Sequence, residues 1–305
     1  MELRVLNYFL AVAREQSISA AAASLHLSQP TLSIQLKTLE DELGKQLLIR
    51  GTKGSRKVVL TEEGMILRRR AEEILALVNK TEEEITRSND SIAGDVVIGT
   101  GETDIVRLLA RAAKQIQRQY PDIHYHISSG NAEYVLEYLD KGLIDFGLLF
   151  TETDPKKYET LPIPLADRWG VLMRRDAPLA QKDAICPADL WDKPLIISHQ
   201  KGDDRYLAQW MQREISALNI VATYNLVFNA SLLVDEGLGY ALCFDKLVNT
   251  ADSSLCFRPF SPTLEAYGFI VWKKYQVFSK AASVFLDCLR DLLAHTKSEI
   301  PPAGQ

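Results

Sequence analysis

Five side chains with hydrogen-bonding tips, Gln29, Thr31, Ser33, Gln35 and Thr38, crowd one short stretch that begins His26-Leu27-Ser28-Gln29-Pro30-Thr31. Amides pair bidentately with adenine edges and short hydroxyls with several bases, so these residue types suit reading of a DNA major groove. Ser28 is placed as an N-cap, and Pro30 falls near the helix start, where its missing N–H costs nothing. Leu32, Leu36, Leu39 and Leu43 then recur at steps of 4, 3 and 4, which buries one helix face and leaves the polar tips on the other. Gly44 suits the end of that helix.

Other elements must hold this helix. Leu3, Leu6, Phe9, Leu10 and Ala13 predict a helix over 3–14, and the alanine-rich run from Ser19 to Leu25 predicts a second that others can approach closely. A short turn then leads into the polar helix, the arrangement of a helix-turn-helix. Two strand-like runs follow, Leu47-Leu48-Ile49 and Val58-Val59-Leu60, around a glycine-bearing hairpin that carries Arg50, Lys53, Arg56 and Lys57. A basic wing of this kind contacts phosphates or the minor groove. The net charge of −5 does not exclude it, because residues 1–90 balance 13 basic against 13 acidic side chains and the remaining 22 and 27 hold the deficit.

Thr61 can cap the next helix, with Glu62 and Glu63 at its positive end. Leu67, Ala71, Ile74, Val78, Thr81 and Ile85 form a heptad-like seam along about 28 residues, or ~42 Å, and predict a dimerisation helix. Paired reading heads match paired half-sites on DNA.

The run over 22–44, from the alanines through Leu27-Ser28-Gln29-Pro30-Thr31-Leu32-Ser33 to Gly44, resembles the signature of the LysR-type transcriptional regulators, as does Leu60-Thr61-Glu62-Glu63-Gly64. By that resemblance Gln29, Pro30, Thr31, Ser33 and Gln35, with Ser28 ahead of them, read or position the chain on DNA, and the seam helix dimerises. Lys141-Gly142-Leu143-Ile144-Asp145, Asp176-Ala177-Pro178-Leu179-Ala180 and Gly237-Leu238-Gly239-Tyr240-Ala241-Leu242 extend the likeness over the whole chain. Ala177 departs from a family histidine and Phe244 from a common proline. The resemblance implies a winged helix-turn-helix over 1–60, a linker helix over 61–90 and an effector-binding domain over 91–305. That domain would fold as a periplasmic-binding-protein-like α/β pair, with lobe I over 94–162 and 267–300 and lobe II over 163–266.

The residues themselves support alternating strands and helices beyond a polar hinge at Ser88–Gly94, with largely parallel sheets. Expected strands are Asp95–Thr100, Ile123–Ser128, Ile144–Phe150, Gly170–Arg174, Pro194–Ser198, Val221–Phe228, Tyr240–Phe244 and Ala266–Trp272. Expected helices cover 102–119, 131–141, 203–217, 230–236 and 278–296. In such folds ligands bind at strand C-terminal ends, where helix N-termini converge. The candidate effector-binding residues are therefore Thr100, Gly101, Glu102, Thr103, Ser128, Ser129, Asn131, Thr151, Ser198, His199 and Asn229. Exposed N–H groups at those turns favour a carboxylate or another anion, although Glu102 complicates a simple anion pocket.

No nucleophile–base–acid set and no metal-ligand spacing is evident, so no catalytic residue, metal or cofactor is expected. This weighs against an enzyme or a transport-type binder carrying a borrowed helix-turn-helix. Cys186, Cys243, Cys256 and Cys288 are widely spaced, which weighs against a thiol redox switch. The apolar runs are too short to span a bilayer, and the N-terminus does not resemble a signal peptide. The expectation is a cytoplasmic homodimer, assembling to a homotetramer. It would bind double-stranded promoter DNA, answer to a small, anionic effector and touch RNA polymerase.

Overall fold

The structure, a computed structural model, describes residues 1–50, 57–86, 92–199 and 203–299. The chain divides into two units, Met1–Arg87 and Ser88–Gln305.

In the first unit α1 (Leu3–Glu15), α2 (Ile18–Ser24) and α3 (Gln29–Leu43) precede β1 (Leu48–Arg50), β2 (Val58–Leu60) and α4 (Glu62–Thr86). Ser17 caps α2 by accepting from the Ala20 N–H, and Ser28 caps α3 by accepting from the Thr31 N–H. Gly44 ends α3 at φ +64°, a conformation that glycine adopts without strain. Phe9, Val12, Ala21, Leu32, Leu36 and Leu39 close the core with Leu47, Leu48 and Val58. The strands β1 and β2 pair antiparallel, with Leu48 opposite Leu60. Where α4 leaves this hairpin, a Cβ on Gly64 would lie 2.2 Å from the Leu47 carbonyl oxygen, so the close approach requires glycine.

The predicted dimer seam is divided by this packing. Leu67, Ala71 and Ile74 pack with Leu75 against Leu6 and Leu10 of α1. They serve the chain's own core, because α1 offers a leucine pair at helical spacing directly to them. Val78 is half-buried, while Thr81 and Ile85 are exposed. Met65, Ile66 and Leu77 are further exposed apolar side chains on the same helix.

The second unit contains β3 (Gly94–Thr100), α5 (Val106–Gln117), β4 (Ile123–Ser129), α6 (Ala132–Asp140), β5 (Phe146–Leu149) and β6 (Tyr158–Arg174). There follow β7 (Leu195–Ser198), α7 (Asp203–Met211), β8 (Ile220–Tyr224), α8 (Val227–Asp235), β9 (Tyr240–Phe244), β10 (Leu255–Pro259), β11 (Glu265–Lys273) and α9 (Lys280–Glu299). The strand order is β4-β3-β5-β11-β6-β9-β7-β8, with β10 also on β6.

The fold is two-lobed, and β6 is the reason both lobes share one hydrogen-bonded path. Residues Tyr158–Arg168 of β6 pair with β11, and Trp169–Arg174 pair with β9 and β10. Pairing is parallel for β3 with β4 and β5, and for β7 with β8 and β9. It is antiparallel wherever β6 or β11 takes part, because the chain crosses between lobes on one and returns on the other. The largely parallel expectation is thus corrected at the centre. The short strand predicted over Gly170–Arg174 is the end of a strand of 17 residues. The strand predicted to Phe228 stops at Tyr224, and α8 begins three residues before the expected 230.

Each lobe has its own core. In the first, Leu108, Leu109 and Ala112 of α5 and Phe285 and Leu289 of α9 cover Ile98, Phe146 and Ile270 of the sheet. In the second, Val171, Met173, Leu195 and Leu242 pack with Leu207 and Met211, and Trp210 stacks on Phe260 at 3.8 Å. Val227, Ala230 and Val234 of α8 cover the opposite sheet face at Leu172, Ile196 and Ala241. Coverage on both faces explains why β5 and β7 are buried along their whole length.

Candidate functional site

Two candidate surfaces emerge, one in each unit. On α3, Ser28, Gln29, Pro30 and Thr31 are exposed, and Ser33 and Gln35 are half-buried. The Ser28 hydroxyl is engaged within the helix start: it accepts from the Thr31 N–H at 3.2 Å and lies 2.7 Å from Thr31 Oγ1. Ser28 therefore orders the first turn, leaving Gln29 and Gln35 as the longer polar arms. Ile34, which lies off the leucine steps, is 64% exposed in the middle of this face, and Leu43, expected on the buried face, is also exposed. An exposed aliphatic group there suits contact with a thymine methyl.

Arg50 is tied to the same helix. Its Nη1 donates to Ser33 Oγ at 3.4 Å, and its Nη2 lies 3.8 Å from Glu40 Oε2. Glu40 Oε1 meanwhile accepts from the Leu47 and Leu48 N–H groups at 2.7 and 3.0 Å. One carboxylate thus fixes the angle between α3 and β1, and holds the Arg50 cation beside the polar face. Lys57 is exposed at the start of β2. Lys53 and Arg56 lie outside the described residues.

In the second unit, the turns after β3, β4, β5, β8 and β9, with residues of β6, β7 and β11, line a cavity of about 300 Å³. Its walls include Phe150, Trp169, Tyr206, Tyr224, Val227, Cys243, Phe244, Leu247 and Phe269, with Glu102, Glu152 and Glu265 among them. A recess of about 160 Å³ shares Gly101, Glu102, Gly130 and Asn225 with it. Trp169 meets Phe244 edge-on at 4.6 Å, and Phe150 lies 5.3 Å from Phe244, so the aromatic wall is internally packed.

Of the candidate effector residues, Gly101, Glu102, Thr151 and Ser198 line the cavity. Ser129, Asn131 and His199 line the recess. Thr100, Thr103, Ser128 and Asn229 line neither. Thr103 is buried and donates to Asp167 Oδ2, a structural bond next to the lobe crossing. Thr100 Oγ1 donates to the Gly101 carbonyl at 2.9 Å. Ser128 engages Tyr134, and Asn229 is exposed on α8 beyond the cavity rim. Because α8 starts early, Asn225 and Val227 take the lining positions that the later helix start would have given to Asn229.

The helix N-termini are also occupied differently from the expectation. Asn131 Oδ1 accepts from the Tyr134 N–H at 2.9 Å and so caps α6. Glu102 Oε2 accepts from the Val227 N–H at the start of α8. One N–H at each of these two helix starts is thus met by the chain's own side chains, and no Lys or Arg is present among the described lining residues.

Burial pushes Asp167 up to about 6, against the opposing Thr103 hydrogen bond, with nearby Asp104 adding to the rise. Cys243 faces the cavity, but burial, aided by Asp245 and Glu102, pushes its thiol up to about 12. A thiol held neutral is a poor nucleophile. Among the described residues no group of three or more His, Cys, Asp or Glu side chains could hold a metal ion, and no helix is long and apolar enough to cross a membrane.

Residues 3–65 match the bacterial regulatory helix-turn-helix protein, lysR family, and residues 89–294 match the LysR substrate binding domain. The HTH-type regulator YfeR of Shigella flexneri is 29% identical over 95% of this chain and 93% of its own length. The dual regulator OxyR of Escherichia coli K12 is 31% identical over 65% of this chain and 63% of its own. The crystal structure of CbnR, a LysR family regulator, superimposes with a TM-score of 0.75 over 96% of this chain and 99% of that one, at 19% identity. CbnR has also been solved in complex with its target DNA, with the same TM-score of 0.75.

Proposed function

The chain belongs to the LysR family of DNA-binding transcriptional regulators, and from that membership we propose that a small molecule in the cavity controls its occupancy of promoter DNA. The observation that carries this reading is the aromatic-walled cavity of about 300 Å³ beside the strand at which the chain passes between lobes. A ligand there touches both lobes, through Gly101 and Phe150 on one side and Tyr224 and Phe244 on the other. Binding one lobe arrangement better than another is all that a switch requires.

The lobes are assigned as 94–162 with 267–300, and 163–266, after a reading head over 1–60 and a linker helix over 61–90. Two heads reading two half-sites call for a homodimer, and pairs of dimers for a homotetramer. Because Leu67, Ala71 and Ile74 serve the intrachain core, the dimer face on α4 falls to the exposed Leu77, Thr81 and Ile85 with Val78 at its edge. Gln29 and Gln35 read base edges and Ile34 adds an apolar contact. Arg50, Lys53, Arg56 and Lys57 meet the phosphates. The regulator works in the cytoplasm, alters contact between RNA polymerase and promoter, and catalyses no reaction.

Occupancy and transcript mapping in the source cell tests the division of labour. Gln35→Ala should abolish occupancy at the target promoters. Trp169→Ala should leave occupancy intact and remove the response of the same genes to changing growth conditions. Loss of occupancy in both variants, or in neither, contradicts the proposal.

A further inference from the structure

We propose that the cavity takes an organic cation, an amine, guanidinium or quaternary ammonium on an aromatic or apolar body, with Glu102 as its carboxylate anchor. The inference rests on the reading of the cavity as the effector site and adds the ligand's charge.

Three carboxylates line the cavity, those of Glu102, Glu152 and Glu265, with no Lys or Arg among the described lining residues. Glu265 is partly answered by Arg168 at 3.6 Å and accepts from the Tyr267 hydroxyl at 2.9 Å. The other two carry no ion pair with a described residue. Glu102 is held in place because the Val227 N–H donates to its Oε2, and its Oε1 accepts from no described residue. A carboxylate fixed by a backbone bond, with an acceptor oxygen to spare, is a pre-organised partner for a donor cation.

The same bond disfavours an anion at the start of α8. The positive end of α8 already has a carboxylate on it, so an incoming anion would meet negative charge instead of bare N–H groups. The walls agree with a cation: Trp169, Tyr224 and Phe244 line the cavity, and aromatic faces attract ammonium and guanidinium groups. The volume of about 300 Å³ is at the small end for ligand pockets, which suits a compact arylalkyl cation.

The test is titration of the full chain, followed by tryptophan fluorescence and thermal shift. Phenethylamine and benzyltrimethylammonium serve as probes against the size-matched phenylacetate and phenethyl alcohol. The cations should bind at least tenfold tighter than phenylacetate. Glu102→Gln, which keeps an acceptor for the Val227 N–H, should weaken phenethylamine about tenfold or more, the worth of one charge-assisted hydrogen bond. Glu152→Gln, at an exposed position, should weaken it less. Trp169→Phe should remove the fluorescence change. Tighter binding of phenylacetate, equal binding of all probes or binding of none overturns the charge assignment. If phenylacetate binds and Trp169→Phe removes its signal, the cavity reading stands without the cation. If phenethylamine binds with a response indifferent to both Glu102→Gln and Trp169→Phe, the ligand lies elsewhere and both readings fall.

Discussion

The polar face of α3, proposed to read DNA, and the cavity proposed to hold the effector both offer polar groups to a ligand, yet they are assembled in opposite ways. The face comes from neighbouring residues between Ser28 and Thr38 on one rigid helix, braced by Glu40 and Arg50. The cavity draws Gly101, Phe150, Trp169, Ser198, Tyr224 and Phe244 from six separate segments onto two lobes. A surface made on one helix is fixed in shape and suits a ligand whose geometry is constant. A cavity shared by two lobes changes when they move, and suits a ligand whose arrival must be felt.

That contrast can be broken by substitution. Leu36 is 1% exposed behind the reading face, and Leu36→Ala should destabilise the first unit by about 2–5 kcal/mol. Loss of DNA binding together with helical circular dichroism, while cavity probes still bind, would show that the face depends on its own small core. Unchanged DNA binding would mean that the face does not need that support. Gln35→Ala should remove about 1–3 kcal/mol of discrimination between a cognate site and a scrambled duplex, with non-specific affinity unchanged. An equal loss on both duplexes would make Gln35 a positioning contact only.

The lobe crossing gives a smaller effect with a defined sign. Asp167 holds its proton more tightly in the folded chain than in the unfolded one, with a value of about 6 against an ordinary 3.8. Between those values the folded state binds more protons, so its stability falls as pH rises. The destabilisation is complete above about pH 6 and absent below about pH 4. Asp167→Asn should flatten the pH dependence of the urea-unfolding free energy across that window, by up to about 3 kcal/mol. A wild-type midpoint that rises with pH solely through Asp167 would contradict the burial argument. The smallest effect is expected at Ile34, where Ile34→Ala should cost under about 1 kcal/mol of specific affinity, measured by fluorescence anisotropy.

How much of each surface is legible in the sequence follows from the same contrast. The cap at Ser28, the steps through Leu32, Leu36 and Leu39 along α3 and the glycine at 44 are short-range signals realised locally, while Leu43, expected on the same buried face, is exposed at the helix end. Along the first half of the α4 seam, periodicity identifies a buried stripe but not what buries it. Leu67 and Ala71 pack against α1. In the cavity, Glu102 and Ser198 were legible as polar residues at strand ends. Trp169, Cys243 and Phe244 were not, since an apolar residue in a strand reads as core until the opposite lobe is placed. The occupation of the α8 N-terminus by Glu102 joins residues 125 positions apart, a separation that no local pattern encodes.

The central claim is that this chain reads DNA through α3. In-vitro selection of a randomised duplex library by the full chain, run beside the Gln35→Ala variant, tests it most directly. The account predicts convergence on one motif with two related half-sites, and loss of base preference within each half-site in the variant. A library that stays random for the wild-type chain, or an identical motif from both proteins, would contradict it.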